Sequence, residues 1–223
     1  MLSKDVRRVV CIHEAGHAVI HALGGATIHR VVVAPEGSAS WAYKTERDGT
    51  EIDLWGACEP SGLGMAWTWC KWDAEHGVYL AERRGFNDVM SAFKAFSGAP
   101  AHAARHRYLR AYVCGLLAGP IAESIVTNAA FDISNLNYGS GQHHDIPKAQ
   151  GLSGLLPRRN ELSHLIAMTE GALRTPATWA RVVTLADELE KKSEMDDLDE
   201  FLPDVDTAWP PSPRSKNAPS AGT

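Results

Sequence analysis

His13-Glu14-Ala15-Gly16-His17 sets two imidazoles four residues apart with a carboxylate directly after the first. On a helix, positions four apart lie about 40° apart around the axis and about 6 Å along it, so both rings can converge on one metal ion. Water on a zinc ion held this way is acidified toward neutral pH. Glu14, beside the ion without ligating it, is then placed to take the proton as general base. This is the H-E-x-x-H arrangement of metal-assisted hydrolysis. With 10 His and 14 Glu among 223 residues, chance would produce the pattern about 0.03 times. That weighs against the plain alternative of a solvated surface helix that happens to carry two histidines.

The element that must carry these residues is legible around them. Ser3 is an N-cap candidate, Lys4 to Leu23 contains no proline, and Gly24-Gly25 is a stop signal, which predicts a helix over 4–23. Val6, Val10, His13, His17 and Ile20 fall on one stripe, so the two candidate ligands extend the apolar face. Ala15, Gly16 and Ala18 leave room for a second backbone to approach closely. His21 continues the series but lies about 12 Å along the axis from His13, too far to share one zinc at about 2.0–2.1 Å. A third ligand must come from elsewhere in the chain.

The chain resembles the zinc peptidase domain of the FtsH-type ATP-dependent proteases. The resemblance rests on HEAGHAVIHAL at His13–Leu23, IHRVVVAPEG at Ile28–Gly37, LLAGPIAESIV at Leu116–Val126 and GQHHDI at Gly141–Ile146, in the family's order. It implies a strand following the first helix, a later helix marked by small residues then Ala-Glu beside the site, and Asp145 as third zinc ligand. The family's asparagine before that aspartate is His144 here, and its double glycine reads Ala118-Gly119-Pro120. His and Asp are both ordinary zinc ligands, so His144 stands as the alternative to Asp145 and otherwise lines the site. Glu123, on the Ala-Glu helix, is a candidate for orienting an imidazole or closing the site, against the plain reading of an exposed helix carboxylate.

Beyond these blocks, Trp41, Trp55, Trp67, Trp69 and Trp72 mark a tryptophan-rich segment that reads as an insertion over about 41–98; core packing is favoured over a substrate groove. Within it Trp41–Lys44 reads as a strand and Lys71 to Arg84 as a helix ending at Gly85. Further helices are expected around Ala101–Asn128, Pro147–Leu155, Glu161–Arg174 and Pro176–Glu194. The fold expected is mainly α, of α+β class: a helical zinc metallopeptidase domain over 1–202, with a small β-sheet next to the H-E-x-x-H helix. Residues 203–223, rich in Pro, Ser and Ala, read as a disordered tail. Cys11, Cys58, Cys70 and Cys114 have no regular spacing and read as reduced thiols; a second metal site from Cys58, Cys70 and His76 is disfavoured.

A net charge of −5 gives no basic footprint for nucleic acid. No G-x-x-x-x-G-K-[ST], no run of eighteen apolar residues and no signal peptide at Met1–Val10 is present. The expectation is a cytoplasmic, ATP-independent zinc metalloendopeptidase without the family's AAA+ ATPase and transmembrane parts. Its substrates would be peptides or unfolded polypeptides, unless a separate unfoldase or adaptor feeds it. A homo-oligomer is compatible with this reading, and no membrane contact is expected. The alternatives are a catalytically silent metal-binding regulatory or interaction module, and a zinc-stabilised structural domain. If the strand Ile28–Val33 lies on a sheet edge beside the metal, Val31, Val32 and Val33 would offer a backbone for an extended substrate to pair with.

Overall fold

The computed structural model describes residues 2–38, 41–44, 51–61, 68–88, 101–133, 145–206 and 208–211. Helix α1 spans Lys4–Leu23, with the Ser3 hydroxyl accepting from the Val6 N–H and the Gly24 N–H closing the last turn on the Ile20 carbonyl. Gly25 follows at φ 95°, a conformation open to glycine and costly for a side chain. Burial runs around the helix from Cys11 to Ala22 and is not confined to one stripe. Val6, expected on that stripe, is 41% exposed. Single-face periodicity fails here because α1 is enclosed by several elements and not by one flat neighbour.

Its main partner is α2, Ala101–Val126, which carries Pro120 in its interior. The two helices run antiparallel with little between their backbones. A side chain at Gly16 would lie 2.8 Å from the Ala122 methyl and 3.0 Å from the Ala118 carbonyl, and one at Gly24 would lie 2.7 Å from the Ala111 methyl. Three further helices, α3 Asp145–Ser153, α4 Glu161–Leu173 and α5 Pro176–Lys192, pack around this pair and match the expected helical segments to within a few residues.

β1 is Ile28–Val33, β4 Gly56–Pro60 and β7 Glu194–Met195, and they form an antiparallel sheet in the order β4-β1-β7. β2 (Trp41–Lys44) pairs with β3 (Glu51–Leu54), and β5 (Cys70–Asp73) with β6 (Val78–Ala81). The result is a mixed, mainly helical fold with small antiparallel sheets.

Four expectations change. β1 is the central strand, so Val31, Val32 and Val33 are not a free edge: Val31 and Val32 pair with β7, the Val33 N–H bonds the Ser193 carbonyl, and all three side chains are buried. β4 comes from within the segment read as an insertion, so that segment completes the main sheet. Lys71 to Ala81 is a hairpin and not a helix, with Cys70 buried and Lys71 exposed on its first strand, and the chain turns helical only over 83–88, running through Gly85 instead of stopping at it. Asp73 Oδ1 accepts from the Glu75 and His76 N–H groups, and Gly77 at φ 64° completes the turn, so local side-chain bonding outcompetes the helix. Finally, the described residues beyond 202, namely 203–206 and 208–211, are docked on the rest of the fold. The Asp206 N–H bonds the Leu23 carbonyl, Arg107 donates to the Trp209 carbonyl, and Pro210 is buried; the remainder, 212–223, lies outside the described residues.

Of the tryptophans, Trp69 is fully in the core at 1% exposure, whereas Trp55 is 49% exposed; Trp67 and the side chain of Trp41 lie outside the described residues. The four cysteines are free thiols. The apolar stretch Arg105–Val126 is long enough to cross a membrane, and it is packed inside the core.

One buried charge ties both ends of this arrangement. Arg7 donates to the carbonyls of Ala34, Leu189 and Glu190 and to the Ser193 hydroxyl at 2.8–3.0 Å. It thereby satisfies the open C-terminus of α5 with a cation where the helix dipole is negative. Arg7→Ala removes all four donations and leaves the Leu189 carbonyl only its bond from the Ser193 N–H, and should cost about 3 kcal/mol in urea unfolding of the metal-free protein.

Candidate metal centre

The antiparallel register of α1 on α2 sets three histidine rings against glycines. The His21 ring lies on Gly115, and the His13 and His17 rings meet over Gly119, where an added Cβ would collide with both Nε2 atoms. Glycine at 119 therefore leaves the space in which the two Nε2 atoms converge. Gly56 of β4 plays the same part for the third member of the motif: a Cβ there would lie 2.6 Å from Glu14 Cγ and Oε1.

His13 Nε2 and His17 Nε2 lie 3.0 Å apart, and Asp145 Oδ2, at the first residue of α3, lies 3.1 Å from His17 Nε2 and 3.6 Å from His13 Nε2. Three ligands at about 2.0–2.1 Å in tetrahedral directions would be separated by about 3.3 Å, so the triangle has the size zinc requires. Among the described residues this is the one group of three or more His, Cys, Asp or Glu side chains placed to hold a metal ion. The outer nitrogens fix the tautomers. His17 Nδ1 donates to the Gly115 carbonyl at 2.7 Å, and His13 Nδ1 to Glu123 Oε2 at 3.2 Å, so both Nε2 atoms are turned toward Asp145, and it is an Nε2 proton that a metal ion would replace. Two imidazoles and a carboxylate are an ordinary zinc donor set.

The predicted residues thus fall into clear places. His13, His17 and Asp145 meet, Glu123 orients His13, and Glu14 sits beside the triangle and outside it, 6% exposed. His144 lies outside the described residues. Val31, Val32 and Val33 are not at the site's open edge. His21 is 6.5 Å from His17, ring to ring, and stays out of the triangle. Cys58, Cys70 and His76 do not form a second centre: His76 is on an exposed turn bonded to Asp73, and Cys70 is buried in the core. Missed from the sequence were Gly115 and Gly119, although their spacing of four on α2 repeats the spacing of the histidines they face.

Burial and neighbouring charge pull these groups apart. Burial disfavours the charged form of the Asp145 carboxyl, but His17, hydrogen bonds from both imidazoles and the Lys148 ammonium outweigh it and hold the group well below the usual carboxylate range. For His13, burial opposes protonation, and the bonds to Asp145 and Glu123 overcome it, lifting the metal-free ring to about 10. Burial raises the Glu14 carboxyl against the pull of the two histidines, toward the range of a working general base. Burial, with Glu14 and Asp145 nearby, also pushes the Cys58 thiol up, which leaves it neutral and unreactive.

Comparison with models of known protein families and with curated proteins finds no match to this chain.

A raised His13 contributes stability that is complete below about 6.5 and fades as pH rises through about 10, while a lowered Asp145 contributes above the usual carboxylate range and fades in acid. Metal binding must displace the His13 proton. Calorimetric titration of the metal-free protein with Zn2+ at pH 7, in buffers of different ionisation enthalpy, should therefore show release of about one proton, and affinity should climb as pH rises from 6 to 8.

Proposed function

We propose that this protein is a zinc-dependent, ATP-independent metallopeptidase of the kind its resemblance to FtsH-type peptidase domains implies, acting on peptides and unfolded segments. The observation that carries the reading is the convergence of His13, His17 and Asp145 with Glu14 buried alongside. His13, His17 and Asp145 would hold the zinc ion, which when bound would acidify a water and polarise a scissile carbonyl. Glu14, set against Gly56 beside the two histidines, is the group that would take up the water proton and pass it to the departing amine. Glu123 and the Gly115 carbonyl hold the two imidazoles in the tautomer and orientation this requires.

The substrate strand is assigned to β4 in place of β1. The pairs of an antiparallel ladder alternate, and the Trp55 carbonyl accepts from the Ala34 N–H. In the register Val33↔Gly56, Val32↔Ala57, Val31↔Cys58, the ladder to β1 therefore uses Trp55, Ala57 and Glu59. The N–H and C=O groups of Gly56 and Cys58 point the other way, to the side of β4 that has no sheet neighbour among the described residues. Gly56 is the residue against Glu14, so an extended peptide paired there lies next to the general base. Pro60 has no N–H and ends the usable edge at two residues.

Glu14→Gln should reduce cleavage of an unfolded fluorescent casein by about 10²–10⁴-fold while fold and bound zinc are kept. Casein left intact by both wild type and variant, with metal bound, would instead favour a silent metal-binding module. Cys58→Pro removes one outward N–H without touching the β1 ladder, and should lower kcat/KM for a short peptide by roughly fivefold, the worth of about 1 kcal/mol, at unchanged zinc content.

A further inference from the structure

Asp145 stands at the start of a helix of only nine residues, α3, so its position depends on what grips that helix. One side, Ile146, Ala149 and Leu152, is buried in the core, where α3 packs on α2. Gly151 faces the β5–β6 hairpin. A Cβ there would lie 2.5 Å from Tyr79 Cβ and 2.6 Å from the Tyr79 carbonyl oxygen, so the strand backbone rests directly on the helix. Tyr79 is 5% exposed and packs its ring 5.1 Å from Trp72 across the hairpin. One helical turn further on, Ala81 abuts Gly154, and Arg83 donates to the Gly154 carbonyl at 3.1 Å. The hairpin is itself bolted to α2: Trp69, just before β5, sets its ring edgewise to Phe86 at 5.1 Å and to Tyr108 of α2 at 5.9 Å, while its carbonyl accepts from the Glu82 N–H.

We propose that the β5–β6 hairpin is the device that positions the third metal ligand, with Gly151 as the positioning residue that lets Tyr79 seat α3 at the depth where Asp145 reaches His13 and His17. This rests on the metal reading of those three residues. The segment carrying the hairpin lies outside the sequence blocks that resemble the peptidase family, so this chain would supply part of its metal site from its own addition. Magnitudes support the assignment. Relieving a 2.5 Å contact to an ordinary 3.4 Å needs a shift of about 1 Å in α3, whereas metal–ligand distances tolerate about 0.2 Å. Gly151 is six residues from Asp145, about 9 Å along a rigid helix, so the shift is transmitted and not absorbed.

The test compares Gly151→Ala with Gly171→Ala, a second helical glycine whose added Cβ meets nothing within 4 Å. Both substitutions gain helix propensity, so only the contact with the hairpin separates them. Zinc affinity is read by chelator competition, ligand geometry by the visible absorption of the Co2+-loaded protein, and stability by thermal unfolding without metal. The expected result is a zinc affinity about tenfold weaker for Gly151→Ala, with an altered Co2+ spectrum, and wild-type values for Gly171→Ala. Arg83→Met, which releases the far end of the hairpin from an exposed position, should weaken zinc in the same direction and serves if Gly151→Ala does not fold. Wild-type affinity and spectrum in Gly151→Ala, with or without a lower melting temperature, would overturn the proposal alone. Failure of the wild type itself to bind zinc would overturn the metal reading and this proposal with it.

Discussion

The approach of α1 to α2 is the constraint on which the rest depends. Two helices can bring their backbones this close only where one of them has no side chains to spare, and Gly16, Gly115, Gly119, Ala118 and Ala122 provide that over the length of the motif. The space left by the glycines is filled by imidazole rings. Ring position is thereby fixed by contact with backbone, which cannot move aside, and the two Nε2 atoms are held together before any ligand arrives. A helix pair of ordinary separation would let the rings choose among rotamers, and pre-organisation would be lost.

Crowding polar groups into such a place is expensive unless each has a partner. The site meets this by pairing charge with charge and donor with acceptor: Asp145 against the two histidines, Glu123 on His13, the Gly115 carbonyl on His17. In the metal-free protein these groups satisfy one another, which is why His13 holds its proton to about 10 and Asp145 stays ionised. A metal ion bound as proposed would replace a proton in this cluster. Glu14 has a different environment, dominated by burial, so the two carboxylates are driven in opposite directions, as the proposed division into base and ligand requires.

The sheet and the hairpins complete the site from the other side. β4 brings Gly56 against Glu14 and leaves one row of backbone groups facing outward, while the β5–β6 hairpin supports the short helix that begins with Asp145. Both come from the tryptophan-rich segment, so the part of the chain that looks like an addition in sequence is structurally continuous with the chemistry.

By itself the sequence determined what local spacing can encode. The His13/His17 pair with Glu14 between, the helix from Lys4 to Leu23 with its Ser3 cap and glycine stop, and the segments α2 to α5 follow from period, capping and breakers, all of which act within a few residues. Even the carboxylates Glu123 and Asp145 could be singled out, because each sits in a recognisable short block. Tertiary structure decided everything that depends on which surfaces meet. Strand order was invisible, since a run of valines reads the same whether central or at an edge, and only the pairing with Glu194–Met195 from the far end of the chain makes β1 internal. The hairpin at Cys70–Ala81 was misread as a helix because its turn is set by Asp73 bonding to the backbone and by Gly77 at positive φ. The contacts of Asp206 and Trp209 carry no local signal in a Pro/Ser/Ala-rich stretch, because they depend on Leu23 and Arg107, distant in sequence. The glycines facing the histidines carry no chemical signal of their own; their meaning is the absence of a side chain, and that becomes legible only when the opposing ring is in place.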